Sequence, residues 1–147
     1  MTQTIPQPDL SQRPHDSHME RWMPLSPQRL YRAWTQEWDA WFAKPGTVVM
    51  DPQPGQPWFF EVEFQGNRHP HYGRYIRLIP ARLVETTWLT GKGGTEGAET
   101  LLTVEFIPEN NGTRVKISHR GFPHAEAATE NQAGWKMVLE QQEKRLA

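Results

Sequence analysis

In the stretch WFFEVEF (58–64) every second residue is apolar on one side: Trp58, Phe60, Val62 and Phe64 oppose Phe59, Glu61 and Glu63. Successive side chains of a strand point to opposite faces, so this pattern predicts a half-buried strand. The same reasoning places Val84, Thr86 and Trp88 on one face of a strand in RLVETTWLT, and Leu102, Val104 and Phe106 on one face in TLLTVEFIP. In TRVKISHR, Thr113, Val115, Ile117 and His119 face one way, against Arg114, Lys116 and Ser118. Strands are also predicted in SHMERWMPL (17–25), TVVMD and HYGRYIRLI. Punctuation between them comes from PQPGQP, QGNRHP, Pro80, GKGGTEG and ENNGT; the Asn-Gly of the last is a strong hairpin signal.

Helical spacing appears in three places. SPQRLYRAWT has Ser26 to cap and Pro27 at the first helical position, with Leu30, Ala33 and Trp34 on one face. EWDAWFAKPG predicts a second short helix with Trp38, Trp41 and Phe42 on one side, ended by Pro45-Gly46. HAEAATENQAGWKMVLEQQEKRLA predicts a long last helix, with Ala128, Trp135, Val138, Leu139 and Leu146 near one face. Strands in a run with helices at the ends argue for an α+β fold. A curved antiparallel sheet wrapped around the long C-terminal helix would bury all these stripes. The 147 residues suggest one domain. Residues 1–14, polar and carrying three prolines, read as a disordered tail, and 15–147 as the folded unit.

Composition narrows the functions. The net charge is −1, which gives no electrostatic reason to expect nucleic acid. Cysteine is absent, which removes disulfides, thiolate ligands and a cysteine nucleophile. There is no signal peptide pattern and no apolar run of membrane-spanning length, so a cytoplasmic location is expected. No catalytic triad, phosphate-cradling loop or nucleotide fingerprint is present. Seven tryptophans are the unusual feature. They fill a core or line a ligand cavity.

Several of these pieces, in their order, resemble a known family. RLYRAWTQEWDAWF is similar to the helix pair of the SRPBCC (START-like) superfamily, and specifically of the branch related to the activator of the heat-shock-protein-90 ATPase. VVMDPQPGQPWFFEV, GRYIRLIPARLVETTW, TVEFIPENNGTRVKISHRGFP and AGWKMVLEQQEKRL resemble successive segments of that branch, over roughly residues 17–147. Two departures stand out. Gly55 is followed by Gln56 and Pro57 where the family often has a second glycine, and Glu130-Asn131-Gln132 stands where a histidine is common. The resemblance implies a helix-grip fold, with a cavity between sheet and helix that takes hydrophobic or aromatic small molecules. Some members are cyclases or hydrolases, and the branch's name suggests a co-chaperone-like interaction module.

The candidate site follows from the inward pattern. Trp58, Phe60, Trp88, Phe106 and Trp135 are expected to line the interior, with His119 as its polar anchor and Trp41, beside Phe42, at the entrance. No catalytic residue, metal or cofactor is assigned. An enzyme would use His119 as acid or base, with Tyr72 or Arg74 as the second polar group. A protein partner, as a monomer or homodimer, is the third reading. His69 and His71 flank Pro70 where a hairpin enters a strand; a solvated hairpin, a metal contact and a pH-sensitive surface are all compatible with that placement. Whether Arg74 or Tyr75 faces the interior is left open by the alternation. Glu85 is expected on the outer face. Gly134 beside Trp135 costs about 1 kcal/mol of helix stability relative to alanine, and close packing or room for a ligand would explain it.

Overall fold

The computed structural model describes residues 5–147. Seven strands form one antiparallel sheet: β1 (His15–Met23), β2 (Val49–Met50), β3 (Pro57–Phe64), β4 (Asn67–Ile79), β5 (Leu83–Trp88), β6 (Thr100–Glu109) and β7 (Gly112–Phe122). Their order across the sheet is β1-β7-β6-β5-β4-β3-β2. Between β1 and β2 the chain makes α1 (Pro27–Thr35) and a single 3-10 turn at Trp38–Ala40; it ends with α2 (Ala125–Leu146). This is the α+β helix-grip architecture, with the C-terminal helix packed against β1 and β7 and α1 against β5 and β6.

The inward stripes are where the alternation places them, except that Phe64 at the end of the β3 stripe is exposed. Trp58 and Phe60 of β3, Trp88 of β5, Leu102, Val104 and Phe106 of β6, and Val115, Ile117 and His119 of β7 are buried. α1 opens as predicted: Ser26 Oγ accepts from the Arg29 amide at 3.1 Å, behind Pro27. On α2 the buried face carries Ala128, Trp135, Leu139 and Leu146, and also Gln142.

Four local expectations are corrected. The second helix is only the 3-10 turn, because Trp38, Trp41 and Ala43 must all turn inward, a spacing no α-helix provides. The Trp38 carbonyl instead accepts from the Phe42 and Ala43 amides at 2.9 and 2.8 Å, and Lys44 N–H goes to Glu61 O of β3. TVVMD yields only the two-residue β2. QGNRHP is not a six-residue turn: Gln65 and Gly66, both at positive φ, make the whole bend, and the strand resumes at Asn67. Pro70 is tolerated because its partner across β3–β4 is Glu61, whose N–H and C=O both point the other way, to Thr47 Oγ1 and Lys44 N–H. No ladder bond from Pro70 is needed at that pair. Finally, the β6–β7 hairpin turns on Asn110-Asn111, both at positive φ, rather than on Asn-Gly. Gly112 is already in β7, where a Cβ would lie 2.3 Å from Met23 O and 2.8 Å from the Trp22 ring.

Residues 5–14, expected to be disordered, contact the sheet where they are described; residues 1–4 lie outside the described part. Arg13 donates to Gly121 O at 2.7 Å and to Glu99 O at 2.6 Å, and Arg74 donates to Pro6 O. No helix of the described residues is long and apolar enough to cross a membrane.

Candidate functional site

The space between sheet and α2 is filled with aromatic rings. β3 supplies Trp58 and Phe60, whose centroids are 5.2 Å apart and nearly parallel. β5 supplies Trp88, 5.1 Å from Trp58 and 5.3 Å from Trp135 of α2. The segment after α1 supplies Trp38, stacked on Trp41 at 4.9 Å and on Phe60 at 5.0 Å. Trp34 of α1 closes the cluster against Trp38, Trp41 and Trp135 at 5.2, 5.0 and 5.6 Å. Such tilted and offset pairs are the arrangements that ring quadrupoles favour, at about 0.5–1.5 kcal/mol each beyond burial. α2 ties down the segment after the 3-10 turn: Gln141 and Arg145 both donate to Trp41 O, at 2.7 and 3.1 Å.

Of the residues singled out from sequence, Trp41, Trp58, Phe60, Trp88 and Trp135 converge here. Phe106 does not join them by ring contact. It is buried, but its aromatic neighbour is Tyr31 of α1 at 6.2 Å, in another part of the core. Trp34, Trp38 and Phe42 also belong to the cluster and His71 borders it; of these the sequence pattern pointed only to Phe42, beside Trp41 at the entrance. Trp34 and Trp38 are visible in sequence only as apolar helix positions.

His119 lies behind Trp88 and Trp135, fully buried. Trp135 Nε1 is 3.1 Å from its Nδ1, and an indole N–H can only donate, so Nδ1 is bare. The proton is then on Nε2 and goes to Thr100 Oγ1 at 2.7 Å; Thr100 Oγ1 donates onward to Trp88 O at 2.5 Å. Asn131 Oδ1, which accepts from Ser17 Oγ at 3.0 Å, lies 3.1 Å from Nδ1. Burial pushes the His119 pKa down to about 3, with the Asn131 contact opposing it weakly. The imidazole is therefore neutral, and both ring nitrogens are taken up by Thr100, Trp135 and Asn131. Neither Tyr72 nor Arg74 is among these partners.

His71 is on the inner face of β4, paired opposite Phe60 and stacked on it at 5.5 Å, with Trp88 and Phe42 each 5.5 Å away edge-on. Its Nδ1 meets His69 O at 3.0 Å, and burial lowers its pKa to about 4. Among the described residues, no group of three or more His, Asp or Glu is placed to hold a metal. Tyr75 is the interior residue of the undecided pair. Its ring is buried and its hydroxyl donates to Met50 Sδ at 3.1 Å. Arg74 turns outward to Glu99, at 3.0 and 3.2 Å, and holds that carboxyl below its ordinary range. Glu85 is on the outer face, accepting from Thr103 Oγ1 at 3.0 Å. Gly73 sits between His71 and Tyr75 on the inner face; a Cβ there would lie 2.1 Å from Thr87 O and 2.9 Å from the Trp58 ring. Gly134 is the opposite case. It is on the outer face of α2, and an added Cβ would meet nothing within 4 Å, so close packing does not explain it.

A curved sheet gripping a C-terminal helix over an aromatic interior defines a START-like domain. The model of the family described as "Activator of Hsp90 ATPase homolog 1-like protein" matches residues 24–147, and the chain belongs to that family, within the SRPBCC superfamily. Solved structures share the fold. Protein CV1439 from Chromobacterium violaceum is 24% identical, with a TM-score of 0.75 over 88% of this chain and 95% of that one. CalU16 from Micromonospora echinospora is 18% identical, with a TM-score of 0.68 over 90% and 76%. The Aha1 dimer from Colwellia psychrerythraea is 16% identical, with a TM-score of 0.66 over 89% and 95%. No curated protein matches the sequence.

Proposed function

We propose that this chain binds a hydrophobic or aromatic small molecule between its sheet and α2, within a working unit of residues 15–147. One observation carries the reading. Phe42, only partly buried and on the irregular segment after the 3-10 turn, is surrounded by the rings of Trp38, Trp41, Phe60, His71, Trp88 and Trp135 at 5.5–6.4 Å. Its ring occupies the place an aromatic guest would take, on a segment that lies outside every strand and helix. In this reading Phe42 is the plug that a ligand displaces, Trp58, Phe60, Trp88 and Trp135 are the walls, and His119 holds Trp135 and Trp88 in position rather than touching substrate. The protein acts in the cytoplasm, as a monomer or homodimer.

The test is thermal unfolding against a panel of lipids, aromatic polyketides and small hydrophobic metabolites, with tryptophan fluorescence followed in the same samples. A ligand at a hundred times its Kd adds about 2.7 kcal/mol to the folded state, or roughly 5–10 °C in Tm for a chain of this size. Phe42→Ala removes the competing plug and strengthens binding of any hit severalfold. A hit whose affinity is unchanged in both Phe42→Ala and Trp135→Ala does not occupy this space, and the assignment then fails.

A second reading, an interaction module, is favoured by the outer face of β2–β4. Val49, Phe59 and Tyr72 are neighbours across the strands there and are exposed. The family's description and the dimer of the Colwellia relative support it. Light scattering on the wild type and on Phe59→Glu separates it from the first: loss of a dimer without loss of ligand binding assigns that face to assembly.

A further inference from the structure

The strands of the sheet are not laddered evenly. β4 pairs with β3 over residues 67–74, but with β5 only over 75–79. Below Tyr75, therefore, β2, β3 and the first half of β4 are parted from β5, β6 and β7 by a seam. In place of a ladder, the seam is crossed by the bridge between Tyr72 and Leu89, with bonds of 3.2 and 2.8 Å, and by Arg74 N–H to Thr87 Oγ1 at 3.0 Å. The inner side of the seam carries aromatic rings. Trp58 and His71 stand on one side of it and Trp88 on the other, 5.1 and 5.5 Å away. Widening the seam parts those rings.

Residues 5–13 cross its outer side. Next to β6 and β7, Arg13 donates to Glu99 O at 2.6 Å and Gly121 O at 2.7 Å, and Leu10 lies against Gly121, where a Cβ would be 2.5 Å from Leu10 Cδ2. At the far end Pro6 O accepts from Arg74, and Ile5 Cδ1 is 3.9 Å from where a Gly55 Cβ would stand. The loop holding Gly55 continues the β3 pairing, since Gly55 N–H donates to Tyr75 O at 2.7 Å. Four strand spacings from β7 to β3 are roughly 19 Å, and the five residue steps from Ile5 to Leu10 reach about 18 Å at full extension. This stretch has no slack. Pro6 and Pro8, whose rings fix φ, favour that extended course. Thr87 and Leu101, paired across β5–β6 on the outer face, are 0% and 4% exposed, the burial expected beneath such a cover. Arg74 completes the tie by bonding Glu99 from the other side of the seam, at 3.0 and 3.2 Å.

We propose that residues 5–13 form a strap that holds this seam closed, and so governs access to the aromatic interior. The access it governs rests on the binding role proposed above. The strap itself is tested without a ligand. Arg13 is its clasp, because its charged side chain makes both of the hydrogen bonds at that end. Releasing it lets β2, β3 and the first half of β4 move from β5 as a unit, a local opening short of unfolding.

Native-state hydrogen exchange, read amide by amide by NMR, tests this on the full chain. In Arg13→Ala the amides of Tyr72 and Leu89 are expected to exchange at least about fivefold faster, because the lost bonds are ones the opening must break. The control is Ser26→Ala, which removes the cap of α1 away from the seam. It is expected to speed exchange in the centre of β6 and β7, at Val104 and Ile117, while Tyr72 and Leu89 stay within about twofold of wild type. Deletion of residues 1–8 removes the Pro6 and Ile5 anchors, leaves Arg13, and is expected to act on Tyr72 and Leu89 as Arg13→Ala does. It serves as the second variant should Arg13→Ala not fold. Unchanged exchange at Tyr72 and Leu89 in these strap variants overturns the inference. So does an acceleration there as large in Ser26→Ala, since those amides would then report general unfolding. Either result leaves the small-molecule reading standing, and a ligand panel without a hit leaves the strap standing.

Discussion

His119 makes folding sensitive to acid in a way that can be measured. Its folded pKa is about 3, against an ordinary value of 6.5, and desolvation is the main cause. Between those two values the unfolded chain binds a proton that the folded chain refuses. Stability therefore rises with pH across this window: the contribution is fully present above pH 6.5 and is lost as pH falls toward 3. From pH 8 to pH 5 the unfolded histidine moves about 1.5 pH units past its own pKa. At about 1.36 kcal/mol per unit, the folded state loses about 2 kcal/mol. His71, whose folded pKa is about 4, acts in the same direction over the same window. The assay is urea unfolding of wild type and His119→Gln at pH 8 and pH 5. Glutamine does not titrate, and everything else that does is common to both chains, so the His71 contribution cancels. At pH 8 the variant is less stable by about 1–3 kcal/mol, because a glutamine cannot satisfy Thr100, Asn131 and Trp135 as the ring does. At pH 5 that gap narrows by about 2 kcal/mol. A gap that stays constant within about 0.5 kcal/mol, or one that widens on acidification, would refute a buried neutral His119.

The two glycines near the site have opposite expectations. Gly134→Ala places a methyl in open space on the outside of α2 and removes a flexible residue from a helix interior; it stabilises by about 0.5–1 kcal/mol and raises Tm by roughly 1–4 °C in calorimetry. A drop in Tm would mean that something other than solvent covers that face. Gly73→Ala drives a methyl into Thr87 O and the Trp58 ring and costs about 1–3 kcal/mol in the same calorimetric comparison. A neutral result there would show that β4 and β5 do not approach as closely as described.

How much of this was legible beforehand differs by element. β3, β6 and β7 were readable because apolar and polar residues alternate along most of each, so a one-residue error would have put charges inside; β5 buries both faces, Leu83 and Thr87 as well as Val84, Thr86 and Trp88. α1 was readable from Ser26 and Pro27. The β4 register was not: the chain from Asn67 to Ile79 carries Tyr, Arg and Ile on both faces, and a β-bulge shifts the pairing between Tyr75 and Arg77. The bulge is what breaks the simple count that would have chosen Tyr75 over Arg74. His71 was missed for a related reason, since the Pro70 beside it resembled a turn signal. Its true setting depends on Glu61, ten residues earlier, turning its polar groups away from Pro70.

Local pattern was enough to specify the α+β class, the inward faces of four strands, the long last helix and five of the rings that meet in the interior. These properties depend on neighbours two to four residues apart, where periodicity and capping act. The sequence by itself also excluded cysteine chemistry and left no charge-based case for nucleic acid. Only the tertiary structure decided which rings share one space, why Phe106 does not, and that His119 is saturated by Thr100, Asn131 and Trp135. Those facts turn on contacts between segments up to about a hundred residues apart, and hydrogen bonds of a few ångströms are set by how strands and helices pack, not by the order of residues along any one of them.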